Sequence, residues 1–189
     1  TLNRPQVLNT ISNDVLDALE QHLAAIAGDD SRALILTGTG RAFCAGTDLN
    51  EWHGDPQERL LRVHALVERM LEFPKPVVAA LNGLALGGGL ELALACTFRV
   101  ARRGAKLGLP EIKLGLLPAY AGTQLLPRLI GWSRAAEIVF SGRTLEAAEA
   151  LELGLVSRVT EADTLLAAAR GLAAEICACA PLAVQAAKR

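Results

Sequence analysis

Three consecutive glycines, Gly87–Gly89, stand directly before an apolar helical pattern that carries one carboxylate, Glu91. Glycine leaves the backbone bare, and the first amides of a helix have no partner within the helix and carry partial positive charge. Such amides can approach a ligand closely and stabilise a developing negative oxygen. A second segment of this kind lies upstream, at Phe43–Asp48. Because an oxyanion hole needs converging donors, the two segments together predict one.

Two glutamates are the candidate acid/base groups. Glu91 falls in the first turn of a helix made otherwise of Leu and Ala, so the pattern predicts a buried carboxylate that needs a reason to be there. Glu111 follows Pro110, where a polar turn residue is the ordinary interpretation. A capping role remains the alternative for Glu91, and a flexible turn or close helix packing remains the alternative for the glycine run.

Seven short motifs follow one another along the chain. They are Asn3-Arg4-Pro5, Phe43–Leu49, Asn82–Glu91, Pro110-Glu111, Gly115–Pro118, Gly122–Gln124 and Gly142-Arg143. Their order and spacing, from Asn3 to about Val159, resemble those of the crotonase (enoyl-CoA hydratase/isomerase) superfamily. Each motif is weak by itself, and their succession is specific.

The resemblance implies an enoyl-CoA hydratase. The oxyanion donors would be the amides of Thr47 and Gly88, and the acid/base pair would be Glu91 and Glu111. Adding water to a conjugated thioester needs a base for the water and an acid for the α-carbon, and two carboxylates that share one water titrate as a coupled pair. We expect Glu111 to serve the α-carbon and Glu91 to orient and activate the water. The resemblance further implies substrate contacts by Cys44, Ala45, Asp48, Leu49, Gly87 and Ala119, with Asp48 fixing the loop that holds Thr47.

Two other functions stay open. An enoyl-CoA isomerase of the same fold shuttles one proton and typically needs one glutamate. A non-catalytic acyl-CoA-binding or scaffold paralogue would be favoured by the expected lack of part of the C-terminal region and by the altered Ala119-Tyr120 segment. Ala119-Tyr120 stands where many hydratases have Gly-Ala, and by the resemblance Tyr120 adds bulk near the acyl pocket, which leaves the acyl-chain preference open. Asn50 stands where a lysine is frequent, which removes a charge that could meet the CoA phosphates; Arg41 could compensate.

The amino-acid composition argues against some classes of binding partner. The net charge is −1 with 19 basic residues and no dense basic stripe, which argues against nucleic-acid binding. The four cysteines show no metal or disulfide spacing, and no run of 18 apolar residues is present, so we expect a reduced, cytoplasmic setting without membrane insertion. The three histidines, His22, His53 and His64, lack metal spacing and receive no role. No cofactor is expected beyond the CoA of the substrate, and the resemblance implies a homotrimer or hexamer.

Periodicity predicts alternating strands and helices. The predicted helices cover residues 13–27, 57–72, a segment opened by Gly88, 133–140, 145–153 and 163–179; the predicted strands cover 33–37, 77–81 and 97–101. The pattern alone suggests an α/β doubly wound sheet. The resemblance implies instead the crotonase-type spiral of ββα repeats, as a single domain over residues 1–189. Its core spiral would end near residue 160, and residues 161–189 would begin a C-terminal helical region of which part is lacking.

Overall fold

Strands and helices alternate along most of the chain in the computed structural model, which describes residues 1–51 and 55–188; His53 lies outside this range. The strands are β1 Leu34–Thr37, β2 Ala42–Cys44, β3 Val77–Leu81, β4 Leu84–Leu86, β5 Phe98–Arg102, β6 Lys106–Gly108, β7 Thr144–Glu146 and β8 Arg158–Thr160. The helices are α1 Asn13–Ala27, α2 Pro56–Leu71, α3 Gly88–Leu94, α4 Gly122–Ile130, α5 Trp132–Ser141, α6 Ala147–Glu152, α7 Leu165–Cys177 and α8 Pro181–Lys188. Short 3-10 turns cover Pro5–Val7, Leu49–Glu51 and Pro110–Leu114.

Consecutive strands go to different sheets. One sheet has the order β1-β3-β5-β8 and the other β2-β4-β6-β7. All neighbours in both sheets are parallel except β6 and β7. Each pair of strands therefore adds one strand to each sheet before the chain returns, with α2 after the first pair and α3 after the second. This arrangement confirms the ββα spiral implied by the resemblance, and the single doubly wound sheet suggested by pattern alone is wrong.

Local signals placed the longer elements well. The Ser12 side chain caps α1 by accepting a hydrogen bond from the amide of Val15 at 3.2 Å, and β3 has the predicted bounds. All five residues of β3 are buried, as its unbroken apolar run indicates. Helix α2 ends just before Phe73-Pro74, because the proline disfavours a helical residue ahead of it.

The helix predicted over residues 145–153, with Thr144 as its cap, is wrong at its start. Thr144–Glu146 forms β7, in which Leu145 pairs with Leu107 of β6 and is 1% exposed. The alternation of one buried residue between two exposed ones is a strand pattern, and three residues are too few for periodicity to reveal it. Helix α6 begins only at Ala147.

The helix predicted over residues 163–179 forms as α7, two residues shorter at each end. Helix α7 ends at Cys177, and α8 follows as a separate element. Among the described residues, no single helix has the length and hydropathy to cross a membrane; only α7 and α8 taken together, across a 107° bend, reach both limits.

Helix α3 is enclosed along its whole length, since all seven of its residues are buried. The glycines of its first turn make that possible. A Cβ on Gly89 would lie 2.1 Å from the carbonyl oxygen of Cys44 in β2. The helix start and the strand are therefore in direct backbone contact, which fixes the position of every group that α3 carries.

Gly89→Ala should destabilise the fold, because the added methyl meets strand backbone that cannot move cheaply. We expect the free energy of unfolding, measured by urea denaturation, to fall by about 1–3 kcal/mol or more. Gly171→Ala is the matched control: Gly171 lies in α7, and nothing lies within 4 Å of the position that its added methyl would take. It should gain about 0.5–1 kcal/mol from helix propensity. Equal losses in both variants would contradict the tight contact.

Candidate active site

The two glycine-containing segments meet at the carboxyl ends of two neighbouring strands. Strands β2 and β4 are parallel neighbours, with Cys44 paired to Ala85, so the residues that follow each strand emerge side by side. Gly46 has a positive φ of 112°, and a Cβ there would lie 3.7 Å from the amide nitrogen of Gly88. The segments predicted to supply one donor each are therefore in contact.

Both predicted donor amides are unused within the described part of the chain. The neighbours of Thr47 are engaged, since Ile11 donates to the carbonyl of Gly46 at 2.8 Å and Asp48 donates to the carbonyl of Ile11 at 3.0 Å. The amides of Thr47 and Gly88 donate to no described residue. For Gly88 this follows from its place as the first residue of α3, where amides lack helical acceptors. Two free N–H groups on adjacent segments can both donate hydrogen bonds to one oxygen.

These amides and both glutamates line one cavity of about 420 Å³. The other sequence-predicted residues on its wall are Ala45, Leu49, Gly87 and Ala119. Apolar residues from the Leu114–Leu117 segment complete one side. A mainly apolar cavity with a few converging polar groups is the usual form of a small-molecule site.

Glu91 is held inside the protein by backbone donors. It is 1% exposed, and its Oε1 accepts hydrogen bonds from the amides of Tyr120 at 2.8 Å and Gly122 at 2.6 Å. Burial raises the pKa of Glu91 from its ordinary 4.5 to about 7; the Gly122 amide opposes this rise, and the charge of Glu111 adds to it. Glu91 can therefore both take and release a proton near neutral pH.

The raised pKa of Glu91 should make the fold less stable as the pH rises. Below 4.5 the carboxyl is neutral in both states and has no effect. Between 4.5 and about 7 the unfolded chain ionises first, so the free energy of unfolding falls, by about 3 kcal/mol once both states are ionised. Urea denaturation at pH 4.5 and pH 8 checks this. The difference should shrink in Glu91→Gln, and an unchanged difference would contradict the assignment.

Glu111 is half-buried in the 3-10 turn Pro110–Leu114. Its Oε2 atom is buried and has no hydrogen-bond partner among the described residues, and burial raises the pKa of Glu111. Its Oε1 lies 3.1 Å from the point that a Cβ on Gly87 would occupy, which places this carboxylate beside the start of α3. Because Glu111 also lies on the cavity wall, this oxygen is available to a molecule bound in the cavity.

Cys44 and Asp48 do not line the cavity, although the resemblance implies that they contact substrate. Cys44 is fully buried, and burial raises the pKa of its thiol to about 12, which leaves it un-ionised and unreactive. Burial opposes ionisation of Asp48, but hydrogen bonds from the Asn50 amide, Arg4 and Thr10 keep its pKa below the usual range. The Arg4–Asp48 contact of 3.1 Å ties the chain start to the segment that carries Thr47.

Two further contacts involve residues of the cavity wall, and one of them comes from His64, to which sequence reasoning gave no role. The hydroxyl oxygens of Tyr120 and Thr47 are 2.9 Å apart and share a hydrogen bond. Nε2 of His64, on α2, lies 2.6 Å from the carbonyl oxygen of Ala119. The departure of Tyr120 from the family pattern was a usable signal for its importance, whereas no local pattern links His64 to a residue 55 positions away.

Comparison with known proteins points to one family. The family described as Enoyl-CoA hydratase/isomerase matches residues 1–189. YngF of Bacillus subtilis (strain 168), whose name describes an enoyl-CoA hydratase/isomerase, is 47% identical over 100% of this chain and 75% of its own length. The 2,3-dehydroadipyl-CoA hydratase of Escherichia coli (strain K12) is 44% identical, with coverage of 100% and 75%.

The fold is shared as well. The crystal structure of enoyl-CoA hydratase from Bacillus anthracis superimposes with a TM-score of 0.95 at 44% identity, and covers 99% of this chain and 75% of that one. Sequence, fold and the order of the motifs lead to one assignment: the chain belongs to the enoyl-CoA hydratase/isomerase family, within the crotonase superfamily.

Proposed function

We propose that this protein adds water across the double bond of a 2-enoyl-CoA. The observation that carries the proposal is the meeting of two carboxylates and two unused amides on the wall of one cavity: Glu91, Glu111, and the N–H groups of Thr47 and Gly88. Names of relatives support it in part, since one is a hydratase and another a hydratase/isomerase.

In this mechanism the thioester carbonyl oxygen accepts hydrogen bonds from Thr47 and Gly88. These donors stabilise the enolate that forms when water attacks the β-carbon, and the loss of one such donor costs on the order of 3 kcal/mol of transition-state stabilisation. Both donors belong to the backbone, so the helix start and the strand edge must hold them in place before substrate arrives.

The two glutamates handle the protons. Glu91, ionised, takes a proton from water as its oxygen bonds to the β-carbon, and Glu111, protonated, gives a proton to the α-carbon as the enolate collapses. The net change is addition of one water, with the proton now on Glu91 instead of Glu111. One proton shared between the two carboxylates fits the raised pKa of each and the influence of Glu111 on Glu91.

An enoyl-CoA isomerase is the second candidate. Glu111 favours it, because a carboxylate with an unpartnered buried oxygen can take a proton from one carbon and return it to another without help. In that case Glu91 would serve only as the acceptor that holds Tyr120 and Gly122.

Absorbance at the conjugated enoyl-thioester band tests hydration directly. The protein should bleach a 2-enoyl-CoA until equilibrium and regenerate the band from the 3-hydroxyacyl-CoA. If a 3-enoyl-CoA gains the band with no water added to it, the reaction is isomerisation. Binding of acyl-CoA with neither reaction, and with no exchange of the α-proton into deuterated water, would refute both and indicate a non-catalytic binding protein.

A further inference from the structure

Tyr120 is fixed at three points of the reaction cavity. Its hydroxyl bonds to the Thr47 hydroxyl, and its amide donates to Glu91. Its ring packs against the start of α3, since a Cβ on Gly88 would lie 2.9 Å from both Cδ2 and Cε2. With only 8% of its surface exposed, the side chain has little freedom to swing away. The ring therefore forms a fixed wall beside the amides of Thr47 and Gly88.

The other side of this wall is apolar core. A void of about 10 Å³ lies there, bordered by Tyr120 and Gly88 and by side chains of α1, α2 and α3 that include Leu16, Val63 and Leu92. The void is at the lower limit of what one water molecule needs, and it is surrounded by apolar groups. Tyr120 and Gly88 border both this void and the reaction cavity. The phenol ring and the start of α3 thus stand between the reaction cavity and the apolar core.

We propose that Tyr120 sets the acyl-length limit of this protein, so that its substrates are short-chain enoyl-CoA thioesters. This inference rests on the proposed function, because it takes the thioester carbonyl to lie at Thr47 and Gly88. A substrate anchored there has its α- and β-carbons beside Glu91 and Glu111, and an acyl tail directed inward meets the ring within a few carbons. A longer tail would have to displace a side chain whose hydroxyl is hydrogen-bonded to Thr47 and whose backbone amide donates to Glu91.

A chain-length series on the wild-type protein is the first test. We expect kcat/KM for the ten-carbon 2-enoyl-CoA to be at least about tenfold below that for the four-carbon compound, the least that exclusion of a single methylene can produce. Equal or higher values for ten carbons would overturn the proposal, whatever the variants do.

Tyr120→Ala is the second test. Removal of the ring should join the cavity to the apolar void behind it, because the ring borders both. The ratio of ten-carbon to four-carbon kcat/KM should rise at least about tenfold. Tyr120→Phe is the matched control, because it removes the hydroxyl and keeps the wall; its ratio should stay at the wild-type value. A ratio unchanged in Tyr120→Ala, or raised equally in Tyr120→Phe, would overturn the inference.

Dissociation constants of unreactive acyl-CoAs separate this inference from the proposed function. Saturated four- and ten-carbon acyl-CoAs report the size of the acyl site through their dissociation constants, whether or not water is added. If no enoyl-CoA is hydrated, the proposed function fails, and the ratio of these constants in wild type and Tyr120→Leu still decides the acyl limit. Tyr120→Leu keeps apolar bulk, so it also serves if Tyr120→Ala does not fold. If wild type binds the four-carbon compound more tightly and this preference weakens in Tyr120→Leu, the result supports Tyr120 as the limit on acyl length. If wild type shows no preference, the result refutes that role.

Discussion

Glu111→Gln should lower kcat for hydration by about 10²- to 10⁴-fold, the range that a positioned general acid supplies. The amide of Gln cannot deliver a proton to the α-carbon, while its shape leaves the cavity intact. The free energy of unfolding should not fall, because the substitution removes a carboxylate whose Oε2 is buried without a partner among the described residues. Steady-state hydration kinetics and urea denaturation on the same preparation check both parts.

Glu152→Gln is the control for this substitution. Glu152 is exposed on α6, so the same chemical change there should leave kcat and stability as they are. Retention by Glu111→Gln of more than a tenth of wild-type kcat would contradict the role of Glu111 at the α-carbon.

Glu91→Gln should also lose about 10²- to 10⁴-fold in hydration, because an amide cannot take a proton from water. The fold should survive, since the Gln carbonyl can still accept from the amides of Tyr120 and Gly122. Glu91→Ala is the matched variant, because it leaves both buried amides without an acceptor. Each unpaired amide should lower the free energy of unfolding by about 1–3 kcal/mol.

The two variants distinguish a proton-transfer role of Glu91 from a purely structural role. If Glu91 acts only as an acceptor for the turn at residues 120–122, Glu91→Gln will hydrate nearly as fast as wild type and only Glu91→Ala will fail. If Glu91→Gln loses hydration but still moves a double bond, the wild-type protein also isomerises, and Glu111 alone carries the proton in that second reaction. Loss of both activities in a folded Glu91→Gln protein supports paired carboxylates.

The sequence predicted those elements whose signals are local. Helix α1 has a capping serine and an apolar face, and β3 has a continuous apolar run ended by Asn82-Gly83. Strands β2, β4 and β6 have three residues each, so neither alternation nor length distinguishes them from loops. Without them, the division of strands between two sheets could come only from the resemblance to a known fold.

The candidate site shows the same division. A glycine run before an apolar helix predicted free amides at Gly88, because that property follows from helix geometry alone. The bond between Tyr120 and Thr47 joins residues 73 positions apart and depends on the whole fold. The substrate contacts implied for Cys44 and Asp48 came from motif position, which fixes where the backbone goes but not where each side chain points.

Isotope-edited infrared spectroscopy of a bound acyl-CoA labelled with ¹³C at the thioester carbonyl tests the central claim most directly. Two N–H donors from Thr47 and Gly88 would polarise that carbonyl. Its stretching band should therefore lie at a lower frequency in the protein-bound acyl-CoA than in the free acyl-CoA in water. A band at the frequency found in water, or higher, would contradict the claim that these two amides hold the thioester oxygen.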